Sequence, residues 1–392
     1  MNNILNKLFV LLFFLLFSVI VKAQEKKRIT DEDFKKFKEF FTLYPNAKAA
    51  EKDSTLYKSK LIMAPIIGYS PETNFSLGVG SKYLFKFRGS GEETRTSNMP
   101  ITIQYTLNNQ FILYSGFEIF TNQEEWVITG NFAFKNFPRL FYGFGRNSLE
   151  ENEEEYGYYQ FRFEPIVLKQ LFARHLFVGG GLRYNHIFNV KAEEEGLLTA
   201  SKFAGFNGST SAGAEFAVLY DSRDNILNAI SGWYVELTHG FYGKVMGGTQ
   251  EFQLSRFDVR YFFKPFHNKT DVIGIQAAGR FTYHDVPFSE LALFGNEENL
   301  RGYIEGRYVD KHILATQIEY RKNLFNRVGM VAFAGVGDVT QEVKDFKFKN
   351  LRPTFGVGLR FLLDREERLN ARLDWGFGEN TNNLYLNIAE SF

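Results

Sequence analysis

The amino-acid sequence predicts an all-β protein, a transmembrane antiparallel β-barrel of about sixteen strands. Three observations predict it. Hydropathy alternates with a period of two from Lys60 onward, full charges stand mid-segment on the polar faces, and an apolar leader is followed by no run long enough to span a bilayer as a helix.

The leader comes first. Lys7 precedes the apolar run from Leu8 to Val21, and Val21-Lys22-Ala23 puts small residues where a signal peptidase cuts, so residues 1–23 read as a signal peptide. A membrane anchor is the rival, but a spanning helix needs about 20 apolar residues. Residues 24–59 read as a short periplasmic segment. Within it Thr30 is placed to cap an amphipathic helix with Phe34, Phe37, Phe41 and Tyr44 on one face, Lys35, Lys36, Lys38 and Glu39 opposite, and Pro45 as its stop. A frayed lead-in is the alternative reading, and 47–59 reads as a polar linker.

Residues 60–392 form the barrel unit. In 125–135 the apolar set Trp126, Ile128, Phe132 and Phe134 alternates with Thr129, Asn131 and Lys135; in 232–242 Trp233, Val235, Leu237 and Phe241 oppose Tyr234, Glu236 and Thr238. In 368–377 Leu369, Ala371, Leu373, Trp375 and Phe377 oppose Arg368, Asn370, Arg372 and Asp374. A soluble sandwich also alternates. The charges Arg162, Glu164, Arg183, Glu215, Glu236, Arg256, Asp258, Arg260, Arg280, Glu319, Arg321, Arg360, Arg372 and Asp374 sit mid-strand, and strands of about ten residues recur along the chain. With the export signal, these favour lipid outside and a charged lumen inside.

Segments start near residues 60, 74, 99, 111, 125, 156, 175, 211, 232, 250, 271, 312, 328, 352, 369 and 383. Long connections follow the fifth, seventh, eleventh and thirteenth strands (136–155, 189–210, 285–311 and 339–351), which places them outside and both termini in the periplasm. The connection 88–98 is the exception, long on the short side. Leu384, Leu386, Ile388 and Phe392 are expected to share one face, resembling the terminal strand by which the barrel assembly machinery captures its clients.

Composition bounds the function. A mean hydropathy of -0.24 excludes a bundle of membrane helices. A net charge of +1 makes no case for nucleic acid, and the absence of cysteine removes disulfides and thiolate metal sites. His175, His186, His239, His267, His284 and His312 are scattered without ligand spacing, and no G-x-S-x-G elbow occurs, so neither enzyme chemistry nor a cofactor or metal is expected. A hydrolase with Ser and His on different strands is a minor rival. The acidic runs 150–155 and 193–195 read as solvated loop tips, with cation-bridged lipopolysaccharide as the rival.

One stretch, 294–310, is polar and glycine-broken yet lies between two clean alternating segments, as a long loop of fixed shape does. Its Leu300-Arg301-Gly302-Tyr303 resembles the V-R-G-F/Y motif of the sixth extracellular loop in the BamA/TamA superfamily, the bacterial surface-antigen barrels. Asp221-Ser222-Arg223-Asp224-Asn225, followed by Ser231-Gly232-Trp233, resembles that family's D-x-R-D…G periplasmic turn. Glu319-Tyr320-Arg321, Phe333 to Val339, Arg372-Leu373-Asp374 and Phe392 extend the resemblance over 60–392. It implies that the loop folds into the lumen, with Arg301, Gly302, Tyr303 and Glu319 as its lock. A surface arginine is the rival for Arg301. The usual Asp of F-x-D-x-G is Gly335 here, and Asp338 falls on the other face, so the lock is expected to rest on Glu319 alone. No POTRA domain is recognisable, which suggests a barrel-only branch. The resemblance implies insertion or translocation of protein or lipid at the outer membrane of a Gram-negative bacterium. Lipids, lipopolysaccharide, the assembly machinery and a periplasmic partner are the implied contacts. A solute pore is the alternative, and a surface-antigen role without transport a third.

Overall fold

The computed structural model describes residues 39, 41–70, 74–107, 109–266, 270–296 and 298–392. The leader and the first turns of the helix candidate, Thr30 to Lys38, lie outside them. The barrel is built from β1 (Lys60–Ser70), β2 (Asn74–Phe85), β3 (Ser97–Thr106), β4 (Phe111–Phe120), β5 (Trp126–Phe141), β6 (Glu154–Gln170), β7 (Leu176–Lys191), β8 (Ser209–Asp221), β9 (Gly232–Tyr242), β10 (Phe252–Phe263), β11 (Val272–His284), β12 (His312–Phe325), β13 (Val328–Thr340), β14 (Arg352–Asp364), β15 (Leu369–Gly378) and β16 (Thr381–Ile388).

Each strand pairs antiparallel with the next, from β1 with β2 to β15 with β16. The two ends of the sheet are brought together by side-chain packing, with Ile388 of β16 against the cluster of Ile62 of β1, Leu84 of β2 and Leu369 of β15. Bringing the ends together limits the backbone groups left at an open edge, which a bilayer interior demands. The sheet counts 17 strands, one more than these, because the two-residue strand Thr42–Leu43 pairs with Ile62 and Leu61 on the edge of β1 away from β2. Where a linker was expected, the alanine-rich Ala47–Lys52 forms a short helix. Among the described residues no helix is long and apolar enough to cross a membrane.

The two faces separate as the alternation requires. On β9 the side chains of Trp233, Leu237 and Phe241 are exposed, whereas Thr238 and Tyr242 are buried. Outward aromatics stack near strand ends, Trp233 on Tyr261 with centroids 4.2 Å apart. The connections 142–153, 192–208, 243–251, 285–311 and 341–351 all leave odd-numbered strands, on one end of the barrel. The other end has short turns except 86–96 and 222–231.

The C-terminal expectation needs correction. Leu384 and Leu386 face outward, but Ile388 packs with Ile62, Leu84, Leu227 and Leu369, and Phe392 is buried against Phe262. The alternation breaks where Leu386 and Asn387 are both exposed, and beyond it Ala389, at φ +87, turns the chain inward toward Phe392 and donates its N–H to Asn370 O.

Candidate functional site

The connection between β11 and β12, 285–311, is held against the inner wall. Ala292–Leu293 pairs with Val309–Asp310 at its root. Four of its side chains, Phe294, Leu300, Tyr303 and Tyr308, are buried in one cluster with Ala315 of β12 and Val339 of β13. Burial of these groups is what orders a loop so rich in polar residues. Gly302, at φ +119, lies so close to β15 that a Cβ would stand 2.5 Å from Phe377 C; across the same contact, a Cβ on Gly376 would stand 2.7 Å from Arg301 C. Two opposed glycines let the backbones touch. Tyr303 donates its hydroxyl to Pro353 O, and Tyr385 of β16 accepts the Gly302 N–H at 2.9 Å.

Arg301 lies at the centre and is completely buried. Its guanidinium reaches Glu319 Oε2 at 2.6 Å and Asp374 Oδ2 at 2.6 Å, and stacks on Phe333 at 3.6 Å. The Thr354 hydroxyl donates to the Arg301 carbonyl. The expectation that Glu319 acts alone is therefore corrected: Asp374 supplies a second carboxylate from β15. Gly335 has no room for one, since its Cβ would stand 2.8 Å from Thr316 O and 3.0 Å from Gln317 Cβ. Asp338, also off the loop arginine, pairs with Arg146 at 2.8 Å. Around the pair, Arg321 holds the other oxygen of Glu319 at 2.8 Å, Arg360 and Arg372 hold Asp374 at 2.5 and 3.0 Å, and Glu390 bonds Arg360 at 2.6 Å. Alternating signs satisfy charges that a dry interior would otherwise penalise by several kcal/mol each, on the order of magnitude expected for buried ions.

Sequence reading missed a second anchor. Glu290, fully buried, accepts from Arg183 at 2.6 Å, Arg280 at 2.6 Å and Asn185 at 2.7 Å. Desolvation alone would raise its carboxyl pKa, but the Arg183 and Arg280 guanidiniums outweigh that, so it lies below the ordinary value. An acid alone in the apolar stretch 286–294 was the available signal. Further along, Glu305 meets Arg139 of β5 at 3.2 Å.

The remaining lumen charges also face inward. Arg256 pairs with Glu215 at 2.6 Å and Arg260 with Asp258 at 2.5 Å. In the turn after β8, Asp221 holds Arg223 at 2.8 Å, Asp224 accepts the Ile230 and Ser231 N–H groups, and Gly232, at φ +106, passes where a Cβ would stand 2.2 Å from Ser222 O. That accounts for each residue of the D-x-R-D…G pattern. Among the described residues no group of three or more His, Cys, Asp or Glu is placed to hold a metal ion.

An antiparallel sheet whose two ends are brought together, apolar outside and charged within, with the connection 285–311 bound across the inner wall, defines a transmembrane β-barrel of the outer-membrane kind. The model of the Omp85 superfamily domain matches residues 74–392, and the chain belongs to that superfamily. Among solved structures, it is similar to BamA from Haemophilus ducreyi lacking POTRA domains 1-3, with 11% identity, a TM-score of 0.51, and coverage of 84% of this chain and 69% of that one. It is also similar to CdiB from Acinetobacter baumannii, with 10% identity, a TM-score of 0.53, and coverage of 83% and 60%. These likenesses concern the fold, and the chain spans about three fifths of CdiB. No curated protein matches the sequence.

Proposed function

We propose that the chain works at the outer membrane of a Gram-negative bacterium in the insertion or translocation of protein or lipid, as a barrel whose lumen is stoppered by loop 285–311. The observation that carries this is Arg301, completely buried between Glu319 and Asp374, which fixes the loop where an open pore would need space. Membership of the superfamily supports the same role. The working partners are outer-membrane lipids, lipopolysaccharide and a periplasmic protein that delivers the cargo. No residue is assigned catalytic chemistry.

Liposomes containing the chain test it. They are expected to speed membrane insertion of an unfolded outer-membrane barrel, or transfer of lipid, while retaining an entrapped small dye. Rapid loss of dye with no insertion or transfer would replace this reading with a solute pore.

A further inference from the structure

Turns on the periplasmic side of such a sheet need only a few residues to reverse the chain. Two here are much longer, and both are built into the barrel mouth. In a ring of sixteen strands β8 and β9 lie opposite β1 and β16, yet Leu227 of the 222–231 turn is buried against Ile62 of β1, Leu84 of β2 and Leu369 of β15. The turn therefore crosses the opening.

It is fastened on the far side. Asp224 pairs with Arg368 at 2.5 Å, Asn225 donates to Glu367 O at 3.3 Å, and the Leu227 carbonyl accepts from Glu390 N–H at 3.3 Å. The inturned residues 389–392 complete the cover, with Phe392 beside Ala229 and Phe262. The 86–96 turn closes the other sector. Its Arg95 reaches Asp221 at 2.5 Å and Glu124 at 2.8 Å and stacks on Phe120 at 4.4 Å, above a bed of inward apolar groups including Val127, Leu168, Phe177 and Leu219. Asp221 thus joins both turns.

We propose that these turns and residues 389–392 form a floor that gates the periplasmic mouth, in series with the outer loop and joined to it through Arg321. That guanidinium donates to Phe392 O at 2.8 Å and Ala229 O at 3.3 Å on the floor side, and to Glu319 at 2.8 Å on the loop side. Ser391 also donates to Glu298 O of the loop at 3.3 Å. The floor is removable in principle, because the ladders from β1 to β16 run without it and, among the described residues, Leu227 with the partly buried Ile226 anchors it on the β1 side. This goes beyond the proposed function while resting on its view of a loop-stoppered lumen.

The test uses Thr102→Cys, a mid-strand lumen position on β3, in a chain with no other cysteine. A membrane-impermeant maleimide offered from the periplasmic side is expected to label it slowly in the otherwise native barrel and several-fold faster with Leu227→Asp, or with Leu227→Ala should the charged variant not fold. Heat-modifiable migration reports folding. In planar bilayers, Arg301→Ala with Leu227→Asp is expected to conduct several-fold more than Arg301→Ala alone. Equal labelling, or equal conductance, in folded protein overturns the floor gate and leaves the loop reading intact. Failure of the liposome insertion assay together with Leu227-dependent labelling would remove the proposed function and keep the gate.

Discussion

The inner wall made by β11 to β16 and the one made by β1 to β4 follow the same alternation and hold opposite contents. On the first, Glu319, Arg321, Arg360, Arg372 and Asp374 crowd around a loop that leaves them buried. On the second the inward positions include Ser76, Gly78, Gly80, Lys82, Pro100, Thr102, Gln104 and Tyr114, of which Gly78, Pro100, Thr102, Gln104 and Tyr114 keep partial exposure, while the charges Lys60 and Glu118 stand toward the periplasmic end. Apart from Ser391, every loop contact described above falls on β5 to β7 or β11 to β16. Linked charges are thus densest where a loop has to be fixed, while the middle of the side next to β1 carries mostly small and neutral groups beside Lys82. On the proposed reading the lumen is stoppered from the first wall, while inward groups of the second keep partial exposure.

The largest test of that contrast is Arg301→Ala. It strands Glu319 and Asp374 in a dry site and is expected to cost about 3–5 kcal/mol in denaturant unfolding, and to expose Thr102→Cys to reagent from outside. A cost near that of a surface change would erase the difference between the walls. Next come matched glycines. Gly376→Ala presses a Cβ to 2.7 Å from Gly302 N and Arg301 C, whereas Gly80→Ala meets chiefly the flexible Ile66 Cδ1 at 3.1 Å. The first is expected to cost about 1–3 kcal/mol by overpacking, the second about 0.5 kcal/mol or less, read as shifts in denaturant midpoint.

The third test is pH. Glu290 has a folded pKa below its unfolded value of 4.5, so its contribution is complete above that value and is lost as pH falls through the lower folded one. Conductance in planar bilayers should therefore rise in that acid range, and Glu290→Gln should show the raised conductance already at neutral pH. An unchanged profile in the variant would separate the loop from its Glu290 anchor. Smallest of all, Lys82→Met on the second wall is expected to move stability by less than about 1 kcal/mol; a loss as large as that of Arg301→Ala would mean both walls carry the loop.

Much of this was legible. The observed strand starts lie within two residues of the positions where alternation begins, and Arg301 with Glu319 was named from a short motif and the face it implied. Asp374 was recognised as a lumen charge but not as the partner of Arg301, because alternation assigns a residue to a face and says nothing about which distant strand that face opposes. The inward turn of Phe392 depends on one backbone reversal at Ala389, for which no local pattern warned. Arg95 lay in the connection that broke the length rule, and its exceptional length was the only trace of its task.

The sequence by itself determined the periodicity, hence which side chains meet lipid and which meet the lumen, since a strand of period two leaves no freedom in that assignment. Tertiary structure alone decided the partners: Arg301 with Asp374, Glu290 with Arg183 and Arg280, and Leu227 with Ile62, Leu84 and Leu369. Such pairs join positions far apart in the chain, and only closure of the ring sets the distances across which charge and apolar surface meet.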